Sequence, residues 1–284
     1  MRCDLHVHTR HSGMCNIPVM NRVCRECYND PEAVYDRLKR RGMDLVTVTD
    51  HDSVDAAESL RGRPDFFLSE EITCITPSGI EIHVGAFGIQ DRDHIELQTR
   101  RDDVEALAAY LCEQNIFFSI NHVFSSLTGR RSELDFELFA DLFPGIESLN
   151  GHVPAGNNAA AARLARDWRK SEIAGSDSHT LASLGLTYTE VPAAADAQTY
   201  LEGLRRGQAS VHGASGNYWR LTRAIAEIGL AMIGEKPWTT VFTPLLLAVP
   251  LVTLANHASE FLFVNKWSRR IWPAAELGER PIRP

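Results

Sequence analysis

The stretch Asp-Leu-His-Val-His-Thr at residues 4–9 decides the fold class. His6 and His8 lie two residues apart, and in an extended strand such side chains project to the same side. Both imidazoles can therefore reach one cation. Residues 2–8 are predicted to form the first strand, which places the two histidines near its C-terminal end.

Short apolar runs alternate with longer helical patterns along the rest of the chain. This alternation predicts repeated βα units around a mostly parallel sheet. After the first strand, further strands are predicted at 44–49, 66–68, 80–84, 116–120 and 145–149. Helices are predicted at 30–41, at about 102–114 and at 155–169. The first helix has Pro31 just inside its start and Gly42 just past its end, which is the usual asymmetry of helix termini.

Histidines concentrate where the predicted strands end. Six of the 11 fall at or just after a strand C-terminus, namely His6, His8, His51, His83, His122 and His179. In parallel α/β barrels the loops that leave these ends converge on one face, so residues distant in sequence can meet around one ligand. Asp177 and His179 repeat the two-residue spacing, and the two oxygens of Glu71 can bridge two metal ions. Imidazole with carboxylate favours Zn²⁺, Mn²⁺ or iron over Ca²⁺ or Mg²⁺.

Charge and cysteine content narrow the class of protein. The formal charge of −8 and the pI near 5.8 argue against a broad basic surface for nucleic acid or anionic lipid. An anionic substrate must then be attracted locally, and bound divalent cations would provide that attraction. The N-terminus lacks a secretory pattern, so we expect a cytoplasmic protein whose six cysteines are reduced thiols.

Taken together, these residues resemble the motifs of the polymerase and histidinol phosphatase (PHP) superfamily. The matching segments are 4–9, Val-Thr-Asp-His-Asp at 48–52, Glu71, His83, Asn-His at 121–122 and Gly-Ser-Asp-Ser-His at 175–179. The resemblance extends over residues 2–215 and implies a distorted (β/α)₇ TIM-like barrel. We therefore predict a barrel domain at 1–215 and a C-terminal helical extension at 216–284.

The resemblance also implies a division of metal ligands. One metal is assigned to His6, His8, Glu71 and Asp177, a second to Glu71, His83 and His122, and a third to His51 and His179. The family's usual ligand after the first motif is missing, because this stretch reads Arg-His-Ser-Gly-Met at residues 10–14. The third site is therefore expected to be weak, absent, or completed by His11 or Cys15.

The function implied by the resemblance is a metal-dependent phosphoesterase that hydrolyses a small phosphorylated metabolite or nucleotide with an activated water. The predicted catalytic residues are Glu71, Asp177 and His179, and either His179 or His51 can protonate the leaving oxygen. The predicted substrate-binding residues are Arg130, Arg131 and His152. Two alternatives stay open, a metal-dependent amidohydrolase and a metal-stabilised regulatory domain without catalysis. Glu71 in the bridging role favours the phosphoesterase over the amidohydrolase.

The C-terminal region differs in composition from the barrel. Residues 237–259 contain no Lys, Arg, Asp or Glu, and this stretch is longer than the roughly 18 residues of a membrane-span candidate. Pro244 and Pro250 interrupt it, and basic residues flank it on both sides. Two interpretations follow. The segment either packs on the barrel or makes a homo-oligomer contact, or it lies in a membrane as a shallow hairpin over 237–264.

Overall fold

The computed structural model of the protein describes residues 1–18 and 20–273. Its strands, α-helices and two 3-10 helices follow in chain order: β1 (Arg2–Cys3), a 3-10 helix (Met20–Arg22), α1 (Pro31–Arg40), α2 (Ala57–Leu60), β2 (Ser69–Ile75), β3 (Glu81–Phe87), α3 (Asp91–Arg100), α4 (Val104–Glu113), β4 (Phe117–Ile120), α5 (Glu133–Leu142), β5 (Gly145–Asn150), α6 (Ala155–Trp168), β6 (Ser171–Gly175), β7 (Thr187–Glu190), α7 (Ala197–Arg205), β8 (Ser210–Gly213), α8 (Tyr218–Glu235), a 3-10 helix (Pro237–Ala248) and α9 (Val249–Ile271).

Two sheets form the framework of a mixed α/β fold. The smaller sheet has the order β1-β7-β8, and the larger has the order β2-β3-β4-β5-β6. In the larger sheet β2, β3 and β4 pair antiparallel, whereas β4, β5 and β6 pair parallel. The described residues form no continuous closed barrel. Isolated bonds join the extended segment 4–8 to its neighbours, with Leu5 N donating to Ala174 O at 3.4 Å and Thr49 N donating to Val7 O at 2.8 Å.

The helix predictions are confirmed, whereas several strand predictions need correction. The predicted helices correspond to α1, α4 and α6, and the last three predicted strands correspond to β3, β4 and β5. The prediction for 2–8 is wrong in extent, because only Arg2–Cys3 pairs as a strand. The segment 44–49 makes a single isolated bridge, at Val46. The strand predicted at 66–68 lies instead at Ser69–Ile75, where consecutive glutamates are buried because other side chains bind them.

The larger sheet packs one face against helices. Its core contains Ile72 and Val84 from the sheet, Leu107 from α4 and Leu164 from α6, all fully buried. Removing such side chains from water stabilises a fold by roughly 1.5–3 kcal/mol each. Capping fixes where these helices begin; for example, Asp103 accepts hydrogen bonds from the first turn of α4. The packed helices therefore support the sheet whose strand ends carry the functional residues.

The C-terminal extension packs on this framework along only part of its length. In the second half of α9, Trp267 is buried in the core of the larger sheet. Most of the first half is exposed, with Leu247 just before α9 84% exposed and Leu251 70% exposed, whereas Val249 and Thr253 are buried. Within the described residues, 237–271 is the one helical stretch long and apolar enough to cross a bilayer, and only 17% of its most apolar window is buried. Pro250 is tolerated because it lies in the first turn of α9.

Candidate metal centre

The predicted ligands of the first metal meet around two carboxylates. His6 Nε2 lies 3.0 Å from Glu71 Oε2 and 3.5 Å from Asp177 Oδ1. His8 Nε2 lies 3.4 Å from the same Glu71 oxygen and 3.3 Å from the same Asp177 oxygen. Donor atoms that share one Zn²⁺-like cation at roughly 2.0–2.2 Å are about 3.4 Å apart in a tetrahedron. The four atoms therefore have the separation of a shared cation site.

The predicted ligands of the second metal gather around the other oxygen of Glu71. His83 Nδ1 lies 3.4 Å from Glu71 Oε1, and His122 Nε2 lies 3.3 Å from it. Glu71 is in β2, His83 is in the adjacent antiparallel strand β3, and His122 follows β4. Glu71 thus presents one oxygen to each set, which is the arrangement of a carboxylate that bridges two metal ions.

His51 and His179 lie beside the first set. The ring of His8 stacks on both, with centroids 4.7 Å from His51 and 4.3 Å from His179, and the donor atoms of these three histidines lie within 4.8 Å of one another. Neither His11 nor Cys15 belongs to any metal-ligand group found in the described part of the chain. The sequence-based expectation that one of them completes the third set stays a prediction.

Unpartnered nitrogens show that a metal fits this cluster. Among the described residues, five buried ring nitrogens have no hydrogen-bond partner: His8 Nε2, His51 Nδ1, His83 Nδ1, His122 Nδ1 and His179 Nε2. A buried polar atom without a partner costs about 1–3 kcal/mol, and a metal ion that accepts the lone pair removes that cost. Imidazole and carboxylate are also the donor types that Zn²⁺, Mn²⁺ and iron prefer.

The charges of the cluster are strongly coupled. Burial alone would raise the pKa of Glu71, but the positive fields of His6, His51 and His83 hold it well below its usual range. Burial alone would lower the pKa of His6, but Glu71, Asp177 and Glu147 raise it. For His8, burial and the neighbouring positive charge of His179 lower the pKa to about 3. His8 is therefore neutral near pH 7, with a lone pair available to bind metal.

One family model matches part of the chain. The family model PHP_C, described as PHP-associated, matches residues 155–209, which include Asp177 and His179. Over that stretch the chain is similar to PHP-associated proteins. No curated protein matches the sequence.

Solved structures show that this chain shares its fold with proteins of low sequence identity. PsfC from Pseudomonas syringae PB-5123 is 16% identical with a TM-score of 0.56, and the match covers 82% of this chain and 98% of PsfC. The lesion-specific endonuclease PfuEndoQ from Pyrococcus furiosus is 16% identical with a TM-score of 0.50, and the match covers 74% of this chain and 58% of PfuEndoQ. At this identity the likeness concerns the fold.

Neighbouring polar residues orient the ligands, and the sequence analysis missed two of them, Glu147 and Ser12. Glu147 Oε1 accepts from His6 Nδ1 at 2.8 Å, so the Nε2 atom of His6 faces the carboxylates. Asn121 Nδ2 donates to Glu71 Oε1 at 2.9 Å. Ser12 accepts from His8 Nδ1 at 2.9 Å and donates to Asp50 at 2.6 Å. One weak indication of Glu147 was present in the sequence, because it is a charged residue within the run that forms β5.

The three residues predicted to bind substrate lie in different surroundings. Arg131 is buried, and its guanidinium donates to the carbonyl oxygens of Glu81, Thr128 and Arg130. Its contacts support the loop after His122, and no phosphate-binding role follows from them. Arg130 is exposed on the same loop. His152 does border the centre, with its ring centroid 5.9 Å from that of His179.

The C-terminal extension forms a wall beside the candidate metal centre, which sequence reasoning did not anticipate. Arg220 of α8 lines a small cavity together with Asp177, His152 and His179. An adjoining cleft of about 330 Å³ is also lined by Arg220, with Arg223 and the 76% exposed Trp219. Nη1 of Arg220 donates to Gly151 O at 3.2 Å, which ties the helix to the loop after β5. The only signal for this wall was the basic and aromatic run at residues 218–223.

Proposed function

We propose that this protein is a metal-dependent phosphoesterase that acts on a small phosphorylated metabolite or nucleotide. The observation that carries the proposal is the position of Glu71, whose two oxygens each lie within 3.4 Å of a separate set of histidine nitrogens. Two or three divalent ions of Mn, Zn or Fe would bind these sets. We also propose that the two sheets, with the extended segments between them, are an open form of the distorted (β/α)₇ barrel.

The bound cations would supply Lewis acidity to a water molecule and to the phosphoryl oxygens. The protein side chains hold the ligands in place for this chemistry. Asn121 orients one oxygen of Glu71, and Glu147 fixes the ring of His6. Because His179 Nδ1 donates to Asp177 O at 3.2 Å, the Nε2 atom of His179 faces the centre and can carry a proton or bind a cation.

The cleft beside the centre supports an anionic substrate. Arg220 brings positive charge to its wall, where Arg223 pairs with Glu227 at 2.6 Å, although the chain as a whole carries a net charge of −8. Guanidinium groups bind phosphate bidentately, and an exposed indole such as that of Trp219 can stack on a nucleobase. A carboxylate in the bridging position, rather than a modified lysine, favours phosphoester over amide hydrolysis.

A substrate panel tests the proposal. Protein stripped with EDTA and reloaded with Mn²⁺ is assayed against nucleotides, sugar phosphates and a set of amides. We expect phosphate release that requires the metal. Hydrolysis of amides without phosphate release would favour the amidohydrolase, and bound metal with no turnover would favour a regulatory domain. Full phosphoester hydrolysis by the stripped protein would contradict a metal mechanism.

For the location of the protein, we propose a cytoplasmic enzyme that associates with a membrane surface through residues 237–264. Large apolar side chains on this segment are exposed, and Lys236, Lys266, Arg269 and Arg270 flank it. This combination is typical of a segment that lies at the interface of an anionic bilayer. Flotation with phosphatidylserine vesicles tests the assignment. A protein that stays at the bottom of the gradient and elutes as a dimer would instead assign the surface to homo-oligomer contact.

A further inference from the structure

A short hairpin approaches the metal centre at the point where the expected third-site ligand is missing. Gly13 O accepts a hydrogen bond from Glu26 N at 3.2 Å, and Cys15 N donates to Cys24 O at 3.1 Å. Met14 and Arg25 form an antiparallel bridge between these two pairs. The strand that begins at Gly13 is therefore paired with a strand that ends at Glu26, and this pairing brings a carboxylate to the position where the sequence motif lacks one.

The carboxylate of Glu26 reaches two histidines of the cluster. Its Oε1 atom lies 3.3 Å from His179 Nε2 and 3.6 Å from His51 Nε2. These separations match the roughly 3.4 Å expected between donor atoms that share a cation. An ordinary ion pair would explain one contact, but His179 Nε2 is buried and has no hydrogen-bond partner in the described residues. One carboxylate oxygen between two imidazole nitrogens is also the arrangement that a shared cation would use.

We propose that Glu26, His51 and His179 bind a third divalent cation, with Glu26 as the ligand that the first sequence motif lacks. The inference rests on the proposed metal-dependent function, because it adds one site to that centre. It assigns Nε2 of His179 to metal binding, so His179 does not protonate the leaving oxygen while the third ion is bound.

The hairpin is held in place from both sides. Next to Glu26, the thiol of Cys27 contacts His8 O and His179 O at 3.3 Å each, which joins the base of the hairpin to two ligand-bearing segments. On the other side, Arg25 pairs with Glu235 at 2.9 Å, and Lys236 Nζ donates to Val23 O at 3.0 Å. Glu235 and Lys236 lie at the end of α8, so the C-terminal extension positions the hairpin that carries Glu26.

Metal stoichiometry separates this inference from the function on which it rests. Wild type, Glu26→Gln and Glu26→Ala are stripped, titrated with Mn²⁺ by calorimetry and analysed for bound metal by mass spectrometry. The matched control is Glu58→Gln, an exposed glutamate on α2. We expect three ions in wild type and in the control. Both Glu26 variants should keep two ions and bind the third at least tenfold more weakly.

Three outcomes would overturn the inference. If Glu26→Ala binds three ions with wild-type affinity, Glu26 is not a ligand, although the two-metal function stands. If wild type itself binds only two ions, the third site does not exist and the function again stands. If wild type binds none, the inference and the proposed function fail together. Glu26→Gln keeps the test valid if Glu26→Ala does not fold, and thermal melting checks each variant.

Discussion

The metal centre and the C-terminal extension differ in how their residues are held. They also differ in how far their roles could be predicted from the sequence. The centre consists of buried imidazoles and carboxylates at strand ends, where each polar atom needs a partner. The extension is apolar, and half of its long helical stretch faces outward without a partner in the described residues. Buried ionisable residues have few physical explanations, and metal binding is among the strongest. An apolar run has several explanations, because a core, a second subunit and a bilayer all accept it.

The largest expected effect comes from removing the charge that joins the two metal sets. Glu71→Gln should lower metal-dependent hydrolysis by about 10³-fold or more, because the bridging oxygen pair stabilises both cations at once. Bound metal should fall in the same variant. Activity and metal content are measured on the same preparation, so a loss of activity with full metal content would contradict the bridging role.

The neighbouring glutamate is a matched control for this variant. Glu70 is equally buried, but it accepts from His94 at 2.9 Å and Gln98 at 2.5 Å on the other side of β2. Glu70→Gln should keep its full complement of metal while losing stability by about 1–3 kcal/mol. Loss of metal in this variant would show that the metal content of β2 variants reports on folding rather than on ligand chemistry.

The next effect concerns the extension rather than the centre. Glu260 on α9 is buried and accepts hydrogen bonds from Ser125, Ser126 and Asn157. Glu260→Ala should lower the free energy of unfolding by about 2–4 kcal/mol, because buried donors lose a charged acceptor. Chemical denaturation measures this, with the exposed Leu262→Ser on the same helix as control. Equal stability of both variants would mean that α9 does not anchor the extension.

A smaller effect is expected where a side chain acts through a ligand. Glu147→Gln weakens the hydrogen bond that orients His6, so metal affinity should fall about 10–100-fold. Glu147 is a positioning residue, and raising the Mn²⁺ concentration should restore activity. If activity stays low at saturating metal, Glu147 has a direct role in the reaction instead.

The smallest effect tests the connection between the two regions. The Arg25–Glu235 pair is partly exposed, with 36% and 35% of the two side chains accessible. Such pairs contribute about 0–1 kcal/mol, so Glu235→Gln should weaken the binding of the third ion by less than about fivefold. Calorimetric titration with Mn²⁺ measures this. A loss as large as that of Glu26→Ala would mean that the extension controls the site more strongly than this contact explains.

The sequence predicted those parts of the site whose residue types carry chemistry at regular spacing. The structure brings His6, His8, His83, His122 and Asp177 close together because they follow or occupy strands that converge. Glu26 was not found, since its position depends on a hairpin pairing between residues 13–15 and 24–26 that no periodicity indicates. Glu26 lies between Cys24 and Cys27 in the sequence, and it is the residue of this segment whose side chain approaches the metal cluster.

The fold could be predicted to a similar extent, and the predictions that failed did so for a similar reason. The helices α1 and α4 begin at aspartate caps, and α1, α4 and α6 all have a buried apolar face. The strand β2 was displaced because its buried glutamates look like surface residues in the sequence, and their partners lie elsewhere in the chain. The wall formed by Arg220 could not be foreseen from the sequence. It requires α8 to fold back beside the metal centre, which is a contact between segments far apart in the chain.

Anomalous scattering from crystals grown with Mn²⁺ tests the central claim most directly. The account predicts two strong peaks that share Glu71, one within bonding distance of His6, His8 and Asp177, and one within bonding distance of His83 and His122. A map with no anomalous peak near either oxygen of Glu71, in crystals shown to contain the protein folded as described, would contradict the assignment of this cluster as a metal centre.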